Sequence, residues 1–415
     1  MLPDDQNFDE PPVYYIDLSL PPSQRYIAVA QDLAPSLDGI DYLFNDVLRQ
    51  VLPRKFIPWV RFLASMLLRR LAVPEEDEEI RGIAASLGIQ LYLLVALNTF
   101  LDLMMGCTSG AARIRDRSKR TRLAHFRTLD WGMDPLRKLV VHLKYVRGPS
   151  QLVIAETITY VRALIYLFLL QSNNIMCSQF GYVGILTGCK PGLSVSLNFR
   201  AARRSSGMWE NFRYRIHQIL VLLGLRASLP STLRSILLSN NSDLDTEEMN
   251  KITLKLSSIK STAAYIILCN GQEVHVLEKD FQSAVVRSSQ EFLVSTNHDE
   301  VDSANATRAS QRNGHIDNTR HRSIAAMLED ASLQWLLEDS KERASCVKQK
   351  WLTCSSTKVE STSKASRTSL PLHVLRQWIL QWPTANESTH FSCLMDPTEG
   401  GILHATRWLT PIEEP

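Results

Sequence analysis

The sequence predicts an α+β fold: a helical N-terminal quarter followed by a longer region rich in antiparallel strands. Three observations carry this. Apolar residues recur at helical spacing over residues 23–106, as in Leu43, Val47 and Val51. From Cys107 onward, short β-branched and aromatic runs alternate with turn residues. The 415-residue chain is 45% apolar and 21% charged, which excludes a mainly disordered or collagen-like polymer.

In order, VYYIDLSL (residues 13–20) reads as a strand closed by Pro21-Pro22. Phe56 to Leu71 sets an apolar face opposite Arg61, Arg69 and Arg70. PEEDEE (Pro74–Glu79) reads as a helix start, because proline and carboxylates suit a first turn, and it leads into the apolar run Ile80–Met105. Strands are expected at Leu123–Leu129, Leu139–Tyr145, Gln151–Thr159, Tyr182–Thr187, Leu193–Asn198, Tyr265–Leu268 and Val274–Leu277. Helices are expected at Met208–Leu225 and Thr232–Leu238. The polar stretches 302–318 and 355–369 read as flexible inserts. The tail returns to strands at Thr389–Leu394 and Ile402–Trp408, around Gly400-Gly401.

Several function classes are disfavoured. A net charge of +3 from 46 basic and 43 acidic residues gives no reason to expect nucleic acid. Seven cysteines without a CxxC pair suggest neither a disulfide framework nor a zinc site. There is no P-loop, GxGxxG, HExxH or GxSxG pattern. The N-terminus lacks a secretory pattern, so a cytoplasmic location is the default expectation. The sequons at Asn240, Asn305 and Asn386 then read as chance matches. Ile89–Met105 and Gln151–Leu170 are interrupted by Asn98, Asp102, Glu156 and Arg162, and read as buried elements rather than membrane spans. Arg113–Arg122 holds six basic residues in ten, and reads as a solvated hairpin tip or a contact for anionic lipid headgroups.

Cys107 stands where the helical quarter gives way to strands. By composition alone it reads as a buried structural cysteine, Arg127 with Asp130 as a surface ion pair, and Asn297 as a turn residue. A wider pattern changes that. PPVYYIDLSLPPSQR, NTFLDLMMGCTS, FRTLDWG, FGYVGILTGCKPGLSVSLNFR, STLRSIL, YIILCNGQEVHVLEKD and VSTNHD follow one another across roughly residues 11–325. In content and order they resemble the acid ceramidase family and the related N-acylethanolamine-hydrolysing acid amidases, which are N-terminal-nucleophile hydrolases.

The resemblance implies an αββα sandwich made as a proenzyme. Self-cleavage between Gly106 and Cys107 would yield a small chain (1–106, with the family motif at 11–25) and a large chain (107–415). The freed α-amine of Cys107 would serve as base for its own thiol. Asp130 resembles the carboxylate that orients this amine, and Arg127 the guanidinium that favours thiolate. Asn297 resembles the oxyanion-hole amide, and Arg322 a further active-site arginine that Arg320 fits nearly as well. No cofactor or metal is implied. The substrate class is an N-acylated lipid amine, with ceramide first and N-acylethanolamine as the alternative. A non-catalytic lipid-binding relative is the third reading, against which the joint presence of Cys107, Arg127, Asp130 and Asn297 argues.

Two departures stand out. The Cys107–Arg127 hairpin and the segment after Asn297 are longer than in the animal members, the first also more basic. No cysteine precedes Cys107, so the two chains are expected to associate without the animal members' inter-chain disulfide. Lys55–Leu71 reads either as a core helix or as a membrane-surface contact through Phe56, Ile57, Trp59, Phe62 and Leu63, beside Arg54 and Lys55.

Overall fold

The computed structural model describes residues 8–32, 54–100, 106–116, 118, 120–132, 134–148, 150–162, 180–200, 207–239, 246–300, 330–359 and 368–414. Strands β1 (Phe8–Asp9) and β2 (Val13–Asp17) precede helices α1 (Ile27–Asp32), α2 (Ile57–Leu67), α3 (Pro74–Leu87) and α4 (Leu91–Phe100). Then come β3 (Gly106–Arg115), β4 (Thr121–Asp130), β5 (Val140–Arg147), β6 (Leu152–Arg162), β7 (Phe180–Gly181), β8 (Thr187–Lys190) and β9 (Leu193–Phe199). Helices α5 (Met208–Leu222), α6 (Leu229–Leu237) and α7 (Thr246–Ser258) lead to β10 (Ala264–Cys269), β11 (Val274–Lys279), β12 (Ala284–Ser289) and β13 (Phe292–Ser295). Helix α8 (Asp330–Val359), β14 (Leu370–Pro371), α9 (Leu372–Leu380), β15 (Thr389–Asp396) and β16 (Gly401–Trp408) complete the described chain.

Among the described residues the strands form two sheets. One has the order β1-β16-β15-β4-β3-β13, with β14 also on β3; the other runs β12-β11-β10-β9-β8-β6-β5-β2, with β7 on β6. Pairing is antiparallel except for β2 on β5 and β14 on β3. The fold class is therefore α+β, with the antiparallel strands that the sequence predicts.

Strand alternation gives the first sheet an inner face toward the second sheet and an outer face toward helices. Cys107, Leu129, Phe391 and Cys393 share the inner core with Tyr160 of the second sheet, and Ala111 and Leu123 of the same face pack with Tyr265 and Ile267. Ala112, Phe126 and Leu394 point the other way, against Val347 and Trp351 of α8 and Leu375 and Trp378 of α9. On the far side of the second sheet, Val195 and Leu197 point toward Leu233 and Leu237 of α6, with Met249 and Leu256 of α7 in the same cluster.

Helix α3 begins as its sequence predicts, with Pro74 in the first turn beside Glu75, Glu76 and Asp77. It ends at Gly88, whose φ of 67° suits glycine. The apolar run from Ile80 thus makes two helices. No described helix is long and apolar enough to cross a membrane. Tyr182–Leu186 is not a strand; pairing starts at Thr187. Residues 355–359, expected within a flexible insert, continue α8 as helix. Leu43, Val47, Val51, the 302–318 insert, residues 360–367 of the second insert, and Asn240 and Asn305 lie outside the described residues. Asn386 is buried.

The segment before Gly106 is woven into both sheets, through β1 on β16 and β2 on β5. Its helices are tied in by charge. Glu79, with no side-chain exposure, accepts from Arg25 at 3.0 Å and from both terminal nitrogens of Arg234 at 2.6 and 2.7 Å. Removing a buried partner leaves an uncompensated charge, which typically costs about 3–5 kcal/mol. Glu79→Ala should lower the unfolding free energy by about that much in urea titration; a loss below about 1 kcal/mol would show that solvent reaches the pair.

Candidate active site

Register assembles the site. In β3, Gly106 lies opposite Asp130 and Cys107 opposite Leu129. In β15, Thr389 lies opposite Asp130 and Phe391 opposite Leu129, so His390 is the extra residue of a bulge. Cys107, Leu129 and Phe391 consequently share the inner face, whereas Gly106, Asp130 and Thr389 share the outer one.

Cys107 is fully buried. Its Sγ accepts from Arg127 Nη2 at 3.2 Å, and its backbone N–H donates to Asn297 Oδ1 at 2.8 Å. Arg127, also fully buried, crosses to the second sheet, donating from Nη1 to Asn198 Oδ1 at 2.7 Å and from Nη2 to the Leu197 carbonyl at 2.8 Å. Nη1 also reaches Ser109 Oγ at 3.0 Å. Asn198 in turn donates to the Ser295 carbonyl at 3.0 Å, tying this cluster to the segment that carries Asn297.

The Asn297 segment is fixed from two sides. Its own Nδ2 donates to the Phe199 carbonyl at 2.9 Å, and its backbone N–H donates to Ser340 Oγ of α8 at 2.7 Å. Two residues on, Asp299 receives a bidentate pair from Arg200 at 2.9 and 2.7 Å and the Tyr265 hydroxyl at 2.8 Å. In the intact chain Asn297 thus holds the Cys107 nitrogen. The oxyanion role expected for it would draw on Nδ2, which carries two N–H donors.

Asp130 is buried on the outer face, where Arg343 Nη1 donates to Oδ2 at 2.9 Å and Thr389 Oγ1 donates to Oδ1 at 2.7 Å. Arg343 also reaches Thr108 Oγ1 at 2.8 Å and Asn297 Oδ1 at 3.4 Å. Burial raises the Asp130 carboxyl, with Arg343 and Thr389 opposing it. Burial likewise raises the Cys107 thiol, and Arg127 and Arg343 only partly offset that. The thiolate expected from the arginine neighbour is therefore not favoured in the uncleaved chain.

The structure brings together Gly106, Cys107, Arg127, Asp130 and Asn297. Arg320 and Arg322 lie outside the described residues. The described arginine at Asp130 is Arg343, which sequence reasoning missed: it sits mid-helix, 46 residues after Asn297, with no motif around it. Tyr160 and His390 were missed as well. Tyr160 Oη lies 3.0 Å from His390 Nδ1 between the sheets, and burial above all pushes its phenol up.

Comparison with known proteins gives one kinship. The family described as the beta subunit of N-acylethanolamine-hydrolyzing acid amidase matches residues 9–71. Acid ceramidase of Pan troglodytes is 35% identical over 195 residues, covering 46% of this chain and 45% of the relative. Acid ceramidase of Homo sapiens is 34% identical with the same coverage. N-acylethanolamine-hydrolyzing acid amidase of Caenorhabditis elegans is 30% identical over 202 residues, covering 46% of this chain and 48% of the relative. The chain thus spans about half the length of these relatives.

A buried, protonated thiol should react slowly with electrophiles. In the uncleaved chain at neutral pH, iodoacetamide followed by peptide mass mapping should label the partly exposed Cys346 and Cys354 well before Cys107. Labelling of Cys107 at the same rate would contradict the site as described.

Proposed function

We propose that this chain belongs with the acid ceramidases and N-acylethanolamine-hydrolyzing acid amidases it resembles, and that it is a self-processing amidohydrolase of N-acylated lipid amines, ceramide first among them, acting through a thioester on Cys107. The observation that carries this reading is the double hold on one residue: Arg127 at the sulfur of Cys107 and Asn297 at its nitrogen. A structural cysteine needs neither. The fold is read as the αββα sandwich of N-terminal-nucleophile hydrolases, which the two packed sheets with outer helices support.

Maturation follows from the same atoms. Sγ of Cys107 attacks the Gly106 carbonyl carbon, the C–N bond breaks, and the departing nitrogen takes the thiol proton. Water then cleaves the thioester, leaving a Gly106 carboxylate and a Cys107 with free amine and thiol. Glycine suits the position: a Cβ there would lie 3.3 Å from Asp130 Cβ and 3.6 Å from an Arg343 nitrogen.

In turnover the free amine removes the thiol proton, and sulfur attacks the substrate carbonyl. Collapse of the tetrahedral intermediate expels the amine, which takes that proton back from the α-ammonium. Water, deprotonated by the α-amine, then releases the fatty acid. Asp130, held by Arg343, orients the α-amine, and Arg127 stabilises charge on sulfur. Asn297 donates to the oxyanion from Nδ2. These steps use no metal or cofactor.

Chains 1–106 and 107–415 would then stay together non-covalently. The support is β1 and β2 within the sheets and Glu79 between Arg25 and Arg234.

A lipid surface is the proposed transient partner. Phe56, Trp59, Phe62, Leu63 and Met66 are exposed on and beside α2, and Met208, Trp209 and Phe212 on α5, while both helices pack on α4. Exposed apolar patches of this kind favour contact with an interface. The match to the beta-subunit family and to the nematode amidase favours N-acylethanolamine as a second substrate class.

Intact mass should show wild type as fragments starting at Met1 and Cys107, with Cys107→Ala whole. A wild-type chain that stays whole from acidic to neutral pH would count against the proposal. Competition between ceramide and N-acylethanolamine then identifies the substrate class. Trp59→Ala and Phe62→Ala should cut turnover of vesicle-embedded substrate by about tenfold while sparing a short soluble amide; equal losses on both would remove the surface role.

A further inference from the structure

Behind the scissile bond, hydrogen bonds close into a ring that no catalytic role yet explains. Asp130 Oδ1 accepts from Thr389 Oγ1 at 2.7 Å, and that hydroxyl oxygen accepts the Asn386 N–H at 2.9 Å. Asn386 Nδ2 donates to Asp339 Oδ1 at 3.1 Å. Asp339 Oδ2 accepts from Arg343 Nη2 at 2.7 Å and from Nε at 2.9 Å, and Arg343 Nη1 returns to Asp130 Oδ2 at 2.9 Å. Thr389, Asn386 and Arg343 are buried, and Asp339 is largely so.

The ring joins three parts of the fold that are far apart in sequence: the end of β4, the turn before β15, and α8. Its closure depends on the β15 bulge. In a regular strand residues 389 and 391, two apart, would share a face, so Thr389 would turn inward whenever Phe391 packs inward. With it, Phe391 fills the inner core and Thr389 still meets Asp130 on the outer face. Both Asp130 oxygens thus receive a donor from a different element, which leaves the carboxylate little freedom to rotate.

We propose that Thr389, Asn386 and Asp339 are positioning residues for the Cys107 amine: Thr389 aims one oxygen of Asp130, and Asp339, with Asn386 behind it, aims the Arg343 guanidinium that holds the other. This deepens the amidohydrolase reading and rests on it for the meaning of Asp130, but the ring itself can be tested without activity. Asp339 is a second carboxylate on Arg343 rather than a catalytic residue, since Arg343 and Asn386 stand between it and the reacting atoms.

The charged and titratable groups around Asp130 set the expected signs. Arg343 and Asp339 face it from α8, Arg127 from its own strand, and Tyr160 from the second sheet. Cys107 lies on the adjoining β3. Of these, Arg343 and Arg127 favour the carboxylate and Asp339 disfavours it, while the Thr389 hydrogen bond favours it. Losing the Thr389 donor therefore raises the Asp130 carboxyl. A carboxylate that must be ionised to hold an ammonium then loses function from the acid side upward.

The test is carried out on the full chain with ¹³C-carboxyl-labelled aspartate, the Asp130 resonance being assigned by its loss in Asp130→Asn. In Thr389→Val the titration midpoint of that resonance should move up, and in Thr389→Ser it should return to the wild-type position. Self-cleavage and turnover of Thr389→Val should fall by about tenfold at acidic pH and recover as pH rises. Asp339→Asn, which frees Arg343, should lower kcat more than it raises KM. An unmoved Asp130 midpoint in Thr389→Val overturns the ring. A moved midpoint with unchanged pH profiles keeps the ring but overturns the role of Asp130, and with it the amidohydrolase reading of this site.

Discussion

A single guanidinium, that of Arg127, sets the terms for the rest of the site. It is fully buried, and its hydrogen-bond partners are a sulfur, a carbonyl, a hydroxyl and a side-chain amide oxygen. A buried charge needs every such partner, because the interior does not solvate it. The partners come from both sheets: β3 gives Cys107 and Ser109, and β9 gives Leu197 and Asn198. Any slip of one sheet against the other would strand the charge, so the requirement that solvates Arg127 also fixes where the Cys107 sulfur sits.

The outer face answers with a second set of charges. Asp130 follows Arg127 by three residues and so points to the opposite side of β4, where Arg343 and Thr389 meet it. Cys107 lies between the two systems. Its side chain is held from the inner face, and its nitrogen by Asn297, which Arg343 also touches from the outer one. A residue whose sulfur and nitrogen are both chemically engaged is what an N-terminal nucleophile requires.

Much of this was legible in the sequence, and the failures share a cause. Local signals located β4, β5, β6, β9 and the two tail strands, because alternation and turn residues act over a few positions. The same signals gave the acidic start of α3 and the helical character of the described residues between Ile27 and Phe100. The joint motif order named Cys107, Arg127, Asp130 and Asn297, and the structure places them together. Arg343, Thr389 and His390 were not legible. Arg343 reaches the site only because a long helix packs on the first sheet, and the bulge at His390 reverses strand parity in a way that no residue type announces. The strand expected at Tyr182–Thr187 begins only at Thr187 for a related reason: the buried backbone of Val183 is satisfied by Asn98 and Arg234 rather than by a neighbouring strand. The helical continuation at 355–359, read as a loose polar insert, shows that weak apolar content does not by itself end a helix whose other face is packed.

The central claim is that Cys107 becomes an N-terminal residue whose sulfur carries the acyl group. The most direct measurement is rapid acid quench during turnover, followed by peptide mass analysis. The account predicts an acyl adduct, labile to hydroxylamine, on a peptide that begins at Cys107. An adduct on another residue, or steady turnover with none on Cys107, would contradict it.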